Sequence, residues 1–293
     1  GWYGLTPTGN FEGSNILHRP VRGDLVRPPA IERARAFHQA QRTADLVWSE
    51  RPGVRLAQRF VPLRRAGVYA PGGFAEYVSV PAAAVSSKPP GLSFEEAAAV
   101  PLAGGTAYEA IVRRLAVRVG ESILIHGGAG GVGSFAVQIA KAAGARILAT
   151  ASSDNQEILR ELGADVAIDY KSQDVREGAL DDSGGEGVDV VFDAVGGRTI
   201  VESIPLTKPF GRLATILGAQ GDLTPLYQKN QTLYGVFLTR ERARLEEMST
   251  LIERGQVRPL VDEALPLEEV GKAHERLDSG HGRGKVVLRV AEE

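Results

Sequence analysis

The chain has 293 residues, 43% hydrophobic and 24% charged, with 34 basic and 36 acidic side chains giving a formal charge of -2. That length can bury a large core as one big domain or two ordinary ones, and the near-balanced charge gives no reason to expect a nucleic-acid or anionic-membrane partner. No apolar run reaches about 18 residues and no signal-peptide pattern opens the chain, so a cytoplasmic protein is expected. The absence of cysteine excludes disulfides, thiolate catalysis and every cysteine-ligated zinc site.

Residues 1–71 are arginine-rich and interrupted by Pro and Gly; their one predicted element is a helix from about Ala30 to Val47 carrying Ile31, Ala34, Phe37 and Leu46. Phe74 to Val80 alternates as a half-buried strand does, and Pro81 ends it. Ser93 followed by Glu96 has capping-box spacing and opens an alanine-rich helix, expected to stop at Pro101 or Gly104.

From Ile123 to Lys141 an aliphatic run enters glycines at 128, 130 and 133 and leaves with helical periodicity, which is a dinucleotide-binding turn in its strand and helix context. Gly128 is expected to permit the tight turn, Gly130 to let main chain approach a diphosphate, and Gly133 to bring the helix close to the strand. Gly131 and Val132 complete the turn, where the first amides of the helix and the positive end of its dipole face an anion. Strands are predicted at Arg146 to Thr150, Val166 to Asp169, Val188 to Asp193, Arg212 to Leu217 and Thr232 to Thr239. Helices are predicted at Asp154 to Leu162, with Asp154 and Glu157 as a capping box, from Gly197 to about Leu206, and over Arg240 to Arg254. Lys285 to Val290 is a final strand. Repeated strand-then-helix units imply an α/β fold, a doubly wound parallel Rossmann sheet.

Gly72-Gly-Phe-Ala-Glu-Tyr-Val78, Leu102-Ala-Gly-Gly-Thr-Ala-Tyr-Glu109, the turn itself, Glu161 to Tyr170, Asp193-Ala-Val-Gly-Gly197 and Gly284 to Val290 together resemble the medium-chain dehydrogenase/reductase superfamily, in its zinc-free quinone oxidoreductase and enoyl reductase branch. The resemblance implies a GroES-like β-rich substrate domain over residues 1–103, a dinucleotide-binding domain over 104–243 and a C-terminal segment, 244–293, that returns to the first domain. Residues 1–71 look too short and too poor in strand signals for a whole GroES-like unit, so that domain is incomplete or divergent. A first residue other than Met agrees with a shortened start.

By the same resemblance, Thr106 sits near the nicotinamide, Val195 and Gly196 line the adenosine and ribose side, Leu217, Gly218, Phe237 and Leu238 flank the nicotinamide ring, and Tyr170 packs near the adenosine. Core packing is the alternative for the aliphatic residues. Asp193 is explained as well by a cap or turn bond as by catalysis, and His126 reads as a hydrogen-bonded structural histidine. The second strand ends at Thr150 and is followed by Ala151, Ser152 and Ser153, with no carboxylate to meet ribose hydroxyls or repel a 2′-phosphate. This favours NADPH over NADH, with Ser152 and Ser153 donating to the phosphate or simply capping the helix. A cation early in the next helix is missing, and Lys171 or Arg146 is the candidate substitute.

The five histidines, at 18, 38, 126, 274 and 281, show no ligand spacing, and no metal is expected. Chemistry without a metal suits small electron-poor acceptors, quinones or α,β-unsaturated carbonyls, to which the coenzyme delivers hydride while the protein orients it and excludes water. No residue is singled out as proton donor, although Tyr69, Tyr77 and Tyr108 are available. An enoyl-thioester reductase and an NADPH-binding sensor without turnover are the alternatives. The apolar strand at Thr232 to Thr239 suggests pairing across a two-fold axis in a homodimer.

Overall fold

Alternation decides the sheet. In the computed structural model, which describes residues 46–51, 54–58, 82–280 and 282–289, strands β3 (Ser122–His126), β4 (Arg146–Ala151), β5 (Val166–Asp169), β6 (Val188–Asp193), β7 (Thr207–Thr215) and β8 (Thr232–Gly235) form one sheet in the order β5-β4-β3-β6-β7-β8. Every pairing in it is parallel. Both faces are covered, as parallel sheets require. Ile123, Ile125, Ile147, Ala149 and Phe192 point into one buried cluster, whereas Leu124, Leu148, Val191 and Leu213 point into another on the opposite face.

Two smaller sheets flank it in sequence. An antiparallel pair, β1 (Leu46–Arg51) and β2 (Val54–Gln58), precedes it, and a parallel pair, β9 (Val261–Pro266) and β10 (Lys285–Arg289), follows. The chain steps from β3 outward to β4 and β5, then crosses back to β6 on the other side of β3. That reversal is the topological switch point, where the carboxyl ends of neighbouring strands diverge and leave a crevice. The helices are α1 (Phe94–Ala99), α2 (Gly105–Tyr108), α3 (Gly133–Ala142), α4 (Gln156–Leu162), α5 (Val175–Asp182), α6 (Thr199–Ser203), α7 (Pro225–Gln228), α8 (Arg242–Glu253) and α9 (Val270–Asp278).

Several expectations need correction. Leu46 and Val47, the end of the helix predicted from Ala30, lie in β1 and pair with Gln58 and Ala57, so part of residues 1–71 is β-structure; the rest of that prediction, and the strand at Phe74 to Val80, fall outside the described residues. The capping box at Ser93 and Glu96 forms, with both reciprocal bonds present at 3.1 and 2.8 Å. Its helix does not stop at Pro101. A π-helical stretch over Val100–Gly104, in which the Gly105 amide reaches the carbonyls of Val100 and Leu102, absorbs the missing proline N–H, and a second over Glu109–Arg114 extends the helical run to residue 114. The helical run is thus continuous from Phe94 to Arg114.

The capping box at Asp154 and Glu157 does not form. A short 3₁₀ turn, Ser153–Asn155, precedes α4, and the local bonds come from Asn155 Nδ2 to Ser152 Oγ and from Gln156 Nε2 to the Ala151 carbonyl. Strand β8 stops at Gly235 rather than Thr239, because its neighbour β7 ends at Thr215; the Val236 amide takes the Thr215 carbonyl and nothing further remains to pair with. β8 is nonetheless an edge of the sheet, as strand pairing between two copies requires.

Candidate dinucleotide site

The glycine turn lies at the switch point, between the end of β3 and the start of α3. Its left-handed residue is Gly127, with φ of 71°, rather than Gly128. Gly128 has a different use, since a Cβ there would stand 2.8 Å from Leu159 Cδ2 and 3.0 Å from Ala149 Cβ, so its absence lets α4 and β4 close on the turn. Gly133 is the most constrained: a Cβ would fall 2.0 Å from the Gly127 carbonyl oxygen. The helix begins at Gly133, two residues later than near Gly131, with Val132 at the cap position and no side chain capping it.

Among the described residues, no carbonyl or side-chain acceptor takes the amides of Ala129, Gly131 and Val132. Three unclaimed donors at the positive end of a ten-residue helix make an anion cradle. Beside Gly130 a Cβ would meet only the Gly127 oxygen, at 3.2 Å, so its outer side is open to a ligand. These features fit a dinucleotide diphosphate.

One component escaped sequence reasoning. The Gly284 amide donates to the Ala129 carbonyl at 2.8 Å, which docks the start of β10 on the turn and lays the Lys285 side chain against Gly131; a Cβ at Gly131 would stand 2.8 Å from Lys285 Cδ. Burial lowers the Lys285 ammonium pKa, and among the described residues no carboxylate pairs with it. The only sequence signal was its place in Gly284-Lys285, 154 residues beyond Gly131 in the chain and meaningful only once β10 is docked.

Across the crevice, Val195 faces the turn: it is 54% exposed, and a Cβ at Gly127 would come within 3.1 Å of it. Asp193 is fully buried and its carboxylate accepts from the amides of Val195 and Gly196 at 2.9 and 3.0 Å, with Thr215 Oγ1 at 2.9 Å. It shapes the loop that carries these residues. Leu217 packs on Gly196, where a Cβ would be 2.7 Å away, and the Gly218 carbonyl accepts from Gly197.

Thr106 is buried, and its hydroxyl donates to the Leu102 carbonyl at 2.7 Å. Next to it, Gly105 leaves room for Leu238, whose Cδ2 would stand 3.4 Å from a Cβ there, so the Thr106 helix and the Leu238 loop form one wall. Arg244, 4% exposed, braces that wall by bonding both Glu109, at 2.9 Å, and the Thr239 carbonyl, at 2.6 Å. Phe237 on the same loop is 67% exposed.

At the far end of the site Ser152, Ser153 and Tyr170 gather where β4 and β5 finish side by side, Ala151 opposite Asp169. Tyr170 is 54% exposed. Ser153 donates its hydroxyl to Asp169 Oδ2 at 2.6 Å, so the corner that looked free of carboxylates holds one, contributed by the next strand. Arg146 does not substitute for the missing cation, because it opens β4 at the opposite end of the sheet and pairs with Asp182. His126 is buried, with Nε2 2.8 Å from Ser203 Oγ.

A six-stranded parallel sheet with a glycine turn at its switch point defines a Rossmann-type α/β protein. A family model described as zinc-binding dehydrogenase matches residues 162–288, and one described as histidinol dehydrogenase matches residues 25–148. The human quinone oxidoreductase is 31% identical over 74% of this chain and 69% of its own length. An Arabidopsis thaliana chloroplastic NADPH-dependent alkenal/one oxidoreductase is 36% identical over 74% of this chain and 53% of its own. A solved structure described as an NAD-dependent alcohol dehydrogenase superposes with a TM-score of 0.71 at 36% identity, over 75% of this chain and 66% of that one. The chain belongs to the medium-chain dehydrogenase/reductase superfamily, in its quinone oxidoreductase and enone reductase branch.

The chain spans 64%, 52% and 53% of the first three curated relatives it matches. Among the described residues no group of His, Cys, Asp and Glu side chains is arranged to hold a metal, and no helix is long and apolar enough to cross a membrane.

Proposed function

We propose that this chain holds the coenzyme of an NADPH-dependent reductase of quinones or α,β-unsaturated carbonyls. The observation that carries the reading is the cradle of unclaimed amides at Ala129, Gly131 and Val132, with the Lys285 side-chain stem packed against Gly131 at its edge. A nicotinamide coenzyme supplies hydride. The protein's own residues bind its diphosphate through the turn, confine the ribose and adenosine between Val195, Gly196 and Tyr170, and set Thr106, Leu217, Gly218, Phe237 and Leu238 around the ring. Leu217 and Leu238 give that end apolar walls against which the ring is oriented. The quinone oxidoreductase and alkenal/one oxidoreductase names of relatives support the acceptor class, and the NADPH-dependent name of the Arabidopsis thaliana relative supports NADPH.

Purified protein given NADPH and phenanthrenequinone is expected to consume the reduced coenzyme, with an alkenal as a second acceptor and a crotonyl thioester as the test of an enoyl-thioester reductase. Tight NADPH binding without oxidation by any of the three would overturn the enzyme reading.

Lys285→Met tests the site itself. A hydrogen bond to a charged group contributes about 1.5–3 kcal/mol, so the variant is expected to bind NADPH and NADH about 10- to 100-fold more weakly by calorimetry. Unchanged affinity for both would remove Lys285 from the site.

A further inference from the structure

Asp169 closes β5 with its carboxylate in a cage of donors: Ser153 Oγ at 2.6 Å, Ser172 Oγ at 2.9 Å and the Lys171 amide at 3.0 Å. Those bonds, the one from Ser153 foremost, hold its pKa below the usual carboxylate range, so the group is ionised at neutral pH. The register of β4 and β5 sets this charge directly beside Ser152 and Ser153, the residues that meet the adenosine ribose in the reading above.

A hydroxyl has one hydrogen. Ser153 gives its hydrogen to Asp169 and so presents lone pairs outward, which accept from a ribose 2′-hydroxyl but do not donate to a 2′-phosphate. The Lys171 ammonium, two residues along the chain, adds the weakest of the downward pulls on the Asp169 pKa. Rossmann sites that take NADH place an acid at the end of the second strand of the sheet to accept the ribose hydroxyls. In this chain the end of the following strand delivers the acid instead, through a serine.

We propose that Asp169 is the residue that sets coenzyme preference, holding down the advantage of NADPH over NADH by orienting Ser153 as an acceptor and repelling the 2′-phosphate. This rests on the dinucleotide reading of the glycine turn and concerns only the 2′ position. Neutralising the carboxylate without changing its shape frees Ser153 to donate and removes the negative charge that faces the phosphate, so both changes act in the same direction.

The test is a calorimetric titration of the wild-type chain and Asp169→Asn with NADPH and with NADH, repeated with 2′,5′-ADP and 5′-AMP, which differ by the same phosphate. The expected result is about a tenfold gain in affinity for the two 2′-phosphorylated ligands, with the other two changing less than about twofold. Ser153→Ala, which removes the hydroxyl but keeps the charge, is expected to bring no such gain. Equal changes for all four ligands would show a merely structural turn and overturn the proposal, as would no change in any. If Asp169→Asn unfolds, Asp169→Ser, which keeps a short polar group at the turn, is read by the same ratio. Wild-type protein that binds neither coenzyme would overturn the underlying site, whereas binding with an unmoved ratio would overturn only the role of Asp169.

Discussion

Gly133→Ala is expected to destroy both the glycine turn and coenzyme binding, while Gly130→Ala destroys binding alone. The alanine Cβ at 133 would fall 2.0 Å from the Gly127 oxygen, 2.8 Å from its carbonyl carbon and 2.9 Å from Gly128 Cα. All three atoms are backbone, so no rotamer change relieves the overlap; the turn must open by more than an ångström. That movement pulls Gly128 off Leu159 and Ala149, at the centre of the buried cluster on that face of the sheet. Overpacking of this kind costs about 1–3 kcal/mol or more, enough to shift a melting temperature by several degrees.

At Gly130 the new methyl meets only one oxygen, at 3.2 Å, and otherwise projects outward where the diphosphate would lie. Its melting temperature is expected to stay within about 2 °C of wild type, and its affinity for NADPH to fall at least about tenfold. Gly91→Ala, outside the site and where a Cβ meets nothing within 4 Å, serves as the silent control. Scanning calorimetry and a binding titration on the three variants separate packing from recognition. Full affinity in Gly130→Ala would place the diphosphate elsewhere.

The contrast between those glycines shows what the sequence could carry. The spacing 128, 130, 133 marked the turn because glycines are required wherever a Cβ has no room. It could not say which glycine serves which need, since that depends on Leu159, Ala149 and the Gly127 carbonyl, which approach only in the folded chain. Hence the left-handed position moved to Gly127.

The buried strands were legible for a similar reason: Val166 to Asp169 and Val188 to Asp193 have bounds set by local alternation and by the acidic residue that ends each. Strand β9 and helices α5 and α9 were missed. Their sequences are charged and half-exposed, and β9 exists as a strand through its pairing with β10, 20 or so residues later. The site divided along the same line. Its turn is a local pattern and could be read, whereas Lys285 and Asp169 enter it from other strands, through docking and register that no local spacing encodes.

His126 links the stability of the chain to pH at the entrance to that turn. It lies opposite Asp193 in the sheet, 6% exposed, with Nε2 against Ser203 Oγ, whose own hydrogen goes to the Thr199 carbonyl at 2.8 Å. Nε2 is therefore the protonated nitrogen of a neutral ring. Burial pushes its pKa down to about 4, against a weaker upward pull from the Asp193 and Glu202 carboxylates. In the unfolded chain the ring titrates near 6.5.

With the folded value below the unfolded one, the contribution to stability is complete above about pH 6.5 and is lost as the pH falls from there toward 4. Over that window the loss amounts to about 3 kcal/mol. His126→Asn, whose amide can still donate to Ser203, is expected to be less stable than wild type at neutral pH, with the gap between the two closing toward pH 4. Denaturant midpoints measured across the window give the comparison, and parallel curves for the two proteins would contradict it. Because the next residue is Gly127, opening of this strand end under acid also takes the cradle with it. Coenzyme affinity is expected to fall over the same pH range in wild type and to stay flatter in the variant.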